Sequence, residues 1–345
     1  MKRIITCSDG TWNKLDEKVD GMPTPTNVSV FHDLIANVDQ QNIVQKYFYD
    51  PGVGTGDWFD KITGGLIGAG INKNIKDAYK FIVEQYEPGD EIYLLGFSRG
   101  AYTARSVAGF IYNCGILKSP ADKLIDEAFD LYRRRDDKSQ PWAQESINFR
   151  KNNCYPPGKI KFVGVWDTVG ALGLPGKIFK EINKEVLQCE FHDVQLSGMI
   201  ENAFHAVAID EHRVPFEATL WSQTDSGIAA GQKIEQKWFP GVHSDVGGSY
   251  KEHGLSDAPL VWMIEKAKAL GLAFKYYSGI VPNPYDKLHD SMTAIYLLDG
   301  VLNRRIGNGQ RFNESISLPA VDRWKANTDN YKQKANPYLK LYLKK

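Results

Sequence analysis

Short apolar runs that end in polar, glycine-containing turns recur along this chain, and they constrain its fold more than any other feature. Five such runs stand at residues 3–7, 43–49, 91–97, 159–166 and 238–242. Apolar residues at helical spacing follow three of them, over residues 71–86, 101–114 and 256–270. Strands that alternate with helices form mostly parallel sheets with helices on both faces. The sequence therefore predicts an α/β fold whose ligands bind at the carboxyl ends of the strands.

The order of these elements predicts one catalytic domain over residues 1–320. Inserted segments are expected near residues 51–70, 132–158 and 171–205, where polar or glycine-rich stretches interrupt the pattern. The first of these is expected to be either a mobile apolar lid or an ordered loop on the sheet. Residues 321–345 are expected to form a basic tail, because seven Lys or Arg and only two Asp stand there.

Charge and hydropathy exclude several classes of protein. The 42 basic and 42 acidic residues give a net charge of zero, which argues against a nucleic-acid partner. No apolar run reaches the roughly 18 residues that a bilayer span needs, and no Sec-type signal is present. Four scattered cysteines predict neither disulfides nor structural zinc. We expect a soluble cytoplasmic protein without cofactor or metal, with export by another route left open, and the oligomeric state is not indicated.

The pattern G-x-S-x-G occurs at residues 96–100, with Ser98 at its centre. A strand runs directly into Ser98, and a helix begins within three residues. This context is typical of the nucleophile elbow, a sharp turn that lifts a serine hydroxyl to the top of a sheet. A glycine-rich turn in which the serine only caps a helix is the structural alternative. We therefore predict that Ser98 is a nucleophile.

A serine nucleophile needs a histidine base and a carboxylate that orients the base. In α/β-hydrolases these groups follow the serine in the order Asp or Glu, then His. Two sets in this sequence obey that order. One combines Ser98 with Asp245 and His289, and the other combines it with Asp167 and His243.

The negative charge of a tetrahedral intermediate needs backbone N–H donors. The amide of Arg99 follows the nucleophile at a helix N-terminus, and the loop that contains Gly10 and Thr11 can supply a second donor. Asp9 in the same loop is expected either to support the site or to be a turn carboxylate.

Three other classes of function were considered. An aspartyl-phosphate phosphatase would need an Asp nucleophile where Cys7 stands. A metal-dependent hydrolase could use Asp9, Asp167, His243 and Asp245 as ligands, but it would not need the serine elbow. A non-catalytic binding module would not need to retain a nucleophile, a base and an acid together.

With these motifs in view, the chain resembles a family of uncharacterised bacterial and fungal α/β-hydrolases that includes the catalytic domain of type VI secretion phospholipase effectors. The matching stretches are residues 8–13, 49–55, 96–105, 164–170, 210–213, 241–248 and 289–291. The resemblance implies an α/β-hydrolase-like fold and a serine acyl hydrolase. It favours Ser98, Asp245 and His289 as the triad. With Asp245 preceding its histidine in the chain, we expect Asp167 and His243 to support the site from outside the triad.

The resemblance also suggests the substrate. It points to a glycerophospholipid, and the apolar glycine-rich segment and the basic tail favour an amphiphilic ester. We therefore expect a carboxylic ester hydrolase that forms an acyl-enzyme on a lipid or phospholipid, and the basic tail is expected to make transient contact with a membrane surface. A soluble short-chain carboxylesterase and a metal-dependent hydrolase remain the alternatives.

Overall fold

The computed structural model describes residues 1–10, 18–19, 22–52, 64–134, 136–169 and 196–344. Within these residues the strands are β1 (Arg3–Ser8), β2 (Lys18–Val19), β3 (Met22–Pro23), β4 (Gln45–Asp50), β5 (Glu91–Phe97), β6 (Ile160–Trp166), β7 (Asn202–Ala208), β8 (Lys233–Phe239) and β9 (Glu314–Ile316). The α-helices are α1 (Asn27–Leu34), α2 (Gly64–Gln85), α3 (Arg99–Cys114), α4 (Asp122–Arg133), α5 (Gln144–Asn153), α6 (Asp225–Ala229), α7 (His243–Gly247), α8 (Gly254–Ala269), α9 (Ala294–Leu297), α10 (Leu318–Ala326), α11 (Tyr331–Lys334) and α12 (Pro337–Tyr342).

Seven of the strands form one sheet in the order β4-β1-β5-β6-β7-β8-β9. Every neighbouring pair in this sheet is parallel. The two short strands β2 and β3 form a separate antiparallel pair. Because parallel neighbours need crossover connections, helices cover the sheet, and the prediction of a mostly parallel α/β sheet is confirmed.

Apolar cores lie on both faces of the sheet. One contains Tyr79 of α2 and Phe110 of α3, whose rings stack 4.0 Å apart. The other contains Phe31 of α1 and Met263 of α8, which pack against strand side chains on the opposite face of the sheet. These two layers leave the carboxyl edge of the sheet free, and the predicted site residues stand there, on loops or in the first turn of a helix.

Strand β7 was not predicted. It begins inside the interval 171–205, where an inserted segment was expected, and extends three residues beyond it. All seven of its residues are buried, but Asn202 and His205 interrupt its apolar pattern. His205 lies in the core, where its Nε2 accepts the Thr168 amide at 3.1 Å and its Nδ1 lies 3.3 Å from the side chain of Gln236. Burial, reinforced by the nearby Arg105, lowers the pKa of His205 to about 3, so a neutral imidazole fills this place.

The other two predicted insertions have different outcomes. Residues 53–63 lie outside the described part of the chain, so the lid or loop expected near residues 51–70 is addressed only from Gly64, where α2 begins. Residues 132–158 contain the end of α4 and all of α5. Tyr132 stacks on Phe110 at 5.2 Å, so this segment is part of the core on its face of the sheet.

Residues 321–344 are not a solvated tail. They complete α10 and form α11 and α12, and Tyr331, Ala335 and Leu339 are buried beside β8. These three residues stand four apart in the sequence but lie in separate elements, because α11 is capped at Ala335 and Leu339 belongs to α12. Lys332 and Lys334 between them are exposed. The domain therefore continues past the predicted boundary at 320, because apolar spacing is interleaved with the lysines.

A search of the described helices for a span that could cross a membrane finds none.

Candidate active site

Ser98 stands on a strained turn between β5 and α3. Its backbone has φ 56° and ψ −119°, a conformation that costs free energy and is concentrated at functional sites. The two glycines of the motif make the turn possible. A Cβ on Gly96 would lie 2.2 Å from the Gly100 carbonyl oxygen, and a Cβ on Gly100 would lie 2.0 Å from the Ser8 carbonyl oxygen. Side chains at these flanks would thus push α3 away from the sheet.

His243 lies against the Ser98 hydroxyl. It is the first residue of α7, which begins shortly after β8 ends. Its Nε2 is 2.8 Å from Ser98 Oγ, and the rings of Phe97 and Phe216 pack against it at 4.6 and 5.0 Å. Burial lowers the pKa of His243 even though Asp167 acts in the opposite direction. A neutral imidazole in this position can accept a proton.

Asp167 holds the other side of that imidazole. It follows β6 directly, is fully buried, and has its Oδ2 2.5 Å from His243 Nδ1. Arg304 donates to both carboxylate oxygens, at 2.6 and 3.0 Å, and the Ala208 amide donates to Oδ1 at 2.9 Å. Burial opposes the charge on Asp167, but Arg304 and His243 outweigh it and hold the pKa of this carboxyl well below its ordinary value.

The structure places His289 and Asp245 in a separate pair. His289 Nδ1 is 2.6 Å from Asp245 Oδ1, and its Nε2 is 3.3 Å from Glu252 Oε2. The ring stacks on Tyr250 at 3.8 Å. Burial lowers the pKa of His289, but the two carboxylates outweigh it and raise the pKa above its ordinary value.

The prediction that His289, supported by Asp245, faces Ser98 is therefore wrong in its geometry. Both ring nitrogens of His289 face carboxylates, and the position against the hydroxyl is occupied by His243. The physical reason is the cap of α7. The Asp245 carboxylate turns back to accept the Val242 amide at 3.0 Å, which directs it away from the elbow. The set that the structure brings together is Ser98, Asp167 and His243.

The predicted oxyanion donors have mixed outcomes. Arg99 is the first residue of α3, where N–H groups point out of the helix. The Gly10 amide donates to Asp9 Oδ1 at 2.6 Å, so the side chain of its own neighbour accepts it. Thr11 lies outside the described residues.

Asp9 fastens the loop after β1 to two other elements. Its Oδ2 accepts the Thr26 hydroxyl at 2.5 Å and the Tyr49 hydroxyl at 2.7 Å. Burial raises the pKa of Asp9 to about 6 although these donors act against the rise. A Cβ on Gly100 would lie 2.6 Å from the Asp9 carbonyl oxygen, so this loop packs directly against the elbow and Asp9 sets its position.

Two charged groups at the site were missed by sequence reasoning. Arg304, which holds Asp167, stands in a run without local signal. Glu211 accepts the His243 amide at 3.2 Å and pairs with Arg213 at 2.8 Å. Burial opposes the charge on Glu211, but Arg213 outweighs it and lowers the pKa to about 2. The sequence held one signal for Glu211, because residues 210–213 are among the stretches that match the hydrolase family.

The acidic and imidazole groups considered as metal ligands are divided among different hydrogen-bonded pairs. Asp167 and His243 bond to each other, Asp245 bonds to His289, and Asp9 bonds to Thr26. Among the residues with described positions, no group of three or more His, Cys, Asp or Glu is arranged to hold a metal ion.

The comparisons with known proteins agree with the motifs. Residues 2–266 match the family described as "T6SS, Phospholipase effector Tle1-like, catalytic domain". The chain is 29% identical over 238 residues to "Uncharacterized protein YEL023C" of Saccharomyces cerevisiae, a match that covers 63% of this chain and 32% of that protein.

Two solved structures are also similar. An uncharacterized protein from Pseudomonas aeruginosa gives a TM-score of 0.45 at 18% identity, over 79% of this chain and 46% of that one. The Tle1 effector bound to the VgrG spike of the type 6 secretion system gives a TM-score of 0.43 at 19% identity, over 72% and 51%. The chain thus spans about a third of the yeast relative and about half of each of these two structures.

The family match extends over most of the chain and includes Ser98, Asp167 and His243. It confirms the resemblance and the α/β-hydrolase-like fold that the motifs indicated. The family is named for phospholipases, which hydrolyse ester bonds, and it supports a hydrolase of lipase or esterase type. The chain belongs to the family of type VI secretion phospholipase effector catalytic domains of the Tle1-like kind.

Proposed function

We propose that this protein is a serine hydrolase that cleaves a carboxylic ester of a phospholipid through an acyl-enzyme, with Ser98 as nucleophile, His243 as general base and Asp167 as the acid. One observation carries the proposal. A serine on a strained elbow, a buried imidazole 2.8 Å away and a buried carboxylate 2.5 Å beyond it form one continuous hydrogen-bonded chain. The three groups have the relation that acyl transfer requires.

The proposed reaction begins when Ser98 Oγ attacks the ester carbonyl carbon and its proton passes to His243 Nε2. The carbonyl oxygen becomes an oxyanion, for which the Arg99 amide is the first candidate donor. The C–O bond to the alcohol then breaks, His243 gives its proton to the leaving oxygen, and the acyl group stays on Ser98. Water attacks this acyl-enzyme with His243 again as base. The bond between Ser98 Oγ and the acyl carbon then breaks, His243 returns the proton to Oγ, and the free acid leaves.

Asp167 has an electrostatic part in these steps. When His243 takes the proton it becomes an imidazolium, and the ionised carboxylate 2.5 Å from Nδ1 stabilises that charge. Arg304 keeps Asp167 ionised and fixes its orientation through two hydrogen bonds. The base is thereby held in the tautomer whose Nε2 can accept the Ser98 proton.

The family supports a phospholipid as the substrate, since the matching domain is described as that of a phospholipase effector. The chemistry of the three residues is equally suited to a short soluble ester, which is the second candidate. A panel of glycerophospholipid vesicles and p-nitrophenyl esters of increasing chain length separates the two. Release of fatty acid from vesicles supports the phospholipase, and turnover of short esters alone contradicts it.

The roles are tested with three variants. We expect Ser98→Ala and His243→Ala each to lower kcat by three or more decades, leaving the rate that binding and the oxyanion site supply. His289→Ala is the matched control for His243→Ala, because it also removes an imidazole that is paired with a buried carboxylate. It should keep kcat within about tenfold of wild type.

A loss of three decades in His289→Ala with activity retained in His243→Ala would reverse the assignment of the base. Labelling of Ser98 by a fluorophosphonate gives a readout that needs no substrate. Inhibition by a chelator, together with full activity of Ser98→Ala, would replace the serine mechanism with a metal-dependent one.

A further inference from the structure

A cavity of about 470 Å³ lies beside Arg304. It is bordered by the turn at Val214, by the end of β8 at Trp238, and by the segment that includes Arg305, and it is open to solvent on one side. Ser98, His243 and Asp167 are not among the residues that line it. The cavity is therefore separate from the place where the proposed acyl transfer occurs, although Arg304 connects the two.

The lining combines apolar walls with positive charge. Leu220, Trp238 and Phe312 form apolar surface. Arg304 and Arg305 supply two cations, against the single carboxylate of the exposed Glu217. A cavity of this composition is suited to a ligand with one anionic group and an apolar chain.

Arg304 has an unused donor. Its side chain is only 1% exposed, and its Nη1 and Nη2 donate to Asp167, to the Ala208 carbonyl and to the Phe216 carbonyl. Its Nε has no acceptor among the described residues. A buried N–H without an acceptor is unfavourable, and a ligand oxygen can offset this cost.

We infer that this cavity binds a carboxylate with an apolar chain, with the carboxylate at Arg304 and Arg305 and the chain along Trp238 and Leu220. The ligand class is that of the fatty acid released in the proposed reaction, so the physiological meaning of the site rests on the proposed function. Arg305 can bind a carboxylate through paired N–H donors, and Arg304 adds the one N–H of its Nε, which favours this anion over an uncharged amphiphile.

Occupation of the cavity has a consequence for the active site. A carboxylate at Arg304 competes with Asp167 for the same guanidinium charge, and Arg304 also holds the backbone of Phe216, whose ring packs on His243. Weaker support of Asp167 lowers kcat without blocking access to Ser98. The bound acid therefore acts as a noncompetitive inhibitor.

The test is titration of the protein with decanoate by calorimetry, with decanol and decylamine as probes of the same chain length. Arg305→Glu reverses a charge in the lining at an exposed position. Arg311→Glu is its matched control, because Arg311 is also an exposed arginine but pairs with Asp225 and does not line the cavity. We expect saturable one-to-one binding of decanoate that is at least tenfold weaker in Arg305→Glu and unchanged in Arg311→Glu.

Labelling of Ser98 with a fluorophosphonate locates the bound acid. Decanoate binding that persists in the labelled protein supports the cavity. The inference is overturned by any one of four results: no saturable binding of decanoate, equal binding of decanol, equal effects of the two Arg variants, or loss of binding in the labelled protein. The calorimetric readout is binding and not turnover, so an inactive Ser98 would contradict the proposed function and leave the decanoate titration of the Arg variants valid.

Discussion

Substitution of Asp167 by Asn separates the catalytic use of this carboxylate from its structural use. Asp167 accepts hydrogen bonds from His243 Nδ1, from both terminal nitrogens of Arg304 and from the Ala208 amide. An amide of the same shape has one acceptor oxygen instead of two. Whichever way it turns, an NH₂ group faces hydrogen-bond donors.

The size of the expected effect follows from these contacts. If the NH₂ group faces His243, it donates to Nδ1 and forces the proton onto Nε2, so the imidazole can no longer accept from Ser98. Loss of the correct tautomer in such triads costs on the order of 10⁴ in kcat, or about 5.4 kcal/mol at 1.36 kcal/mol per decade. Removal of one partner of a buried ion pair costs about 3–5 kcal/mol of folding free energy, because Arg304 remains buried without its carboxylate.

The two effects are measured independently. Ester turnover at saturating substrate gives kcat, and guanidinium chloride unfolding gives the free energy of unfolding. Asp245→Asn is the control, since Asp245 is also buried, caps α7 and pairs with a histidine. It should lose about 0.5–2 kcal/mol of stability as a cap is lost and keep kcat within tenfold. Near-normal kcat in folded Asp167→Asn would refute the assigned role.

Three further predictions concern packing and pH. Gly100→Ala should lose about 1–3 kcal/mol of stability and slow fluorophosphonate labelling, because its Cβ would lie 2.0 Å from the Ser8 carbonyl oxygen. Gly109→Ala in the same helix is the control. Its Cβ would meet only the Tyr132 side chain, at 3.3 Å, so this variant should be neutral or stabilising. Burial raises the folded pKa of Asp210 to about 6. The protonated carboxyl therefore stabilises the fold fully below pH 3.8, and this contribution, on the order of 3 kcal/mol, is lost as the pH rises through 6. Thermal melts should show a smaller loss of Tm between pH 4 and 7 in Asp210→Asn than in wild type. Because burial lowers the pKa of His243, the acid limb of the pH profile of kcat/KM should lie below pH 6.5, and a limb above that value would contradict His243 as the base.

The sequence predicts those parts of the site whose signal is local. The Ser98 elbow is read from five consecutive residues with a strand before them and a helix after them, and the structure has both at that place. The contact of Arg304 with Asp167 spans 137 positions and depends on the whole course of the chain between them. No spacing rule in the sequence predicts a contact over that separation. Strand β7 was also missed, because a buried histidine and an asparagine break its apolar pattern.

The choice between the two histidines is decided by strand register and helix geometry rather than by chain order. Trp166 pairs with Phe97 across β6 and β5, and the Ser98 amide donates to the Trp166 carbonyl at 3.1 Å, so Asp167 and Ser98 leave the sheet side by side. His243 and Asp245 are two positions apart on α7, and two helical residues point roughly 200° apart. If His243 faces the elbow, Asp245 cannot orient a second histidine toward it. Both sets obey the order Ser, Asp, His along the chain, but only the acid that follows the neighbouring strand can meet the serine through one imidazole.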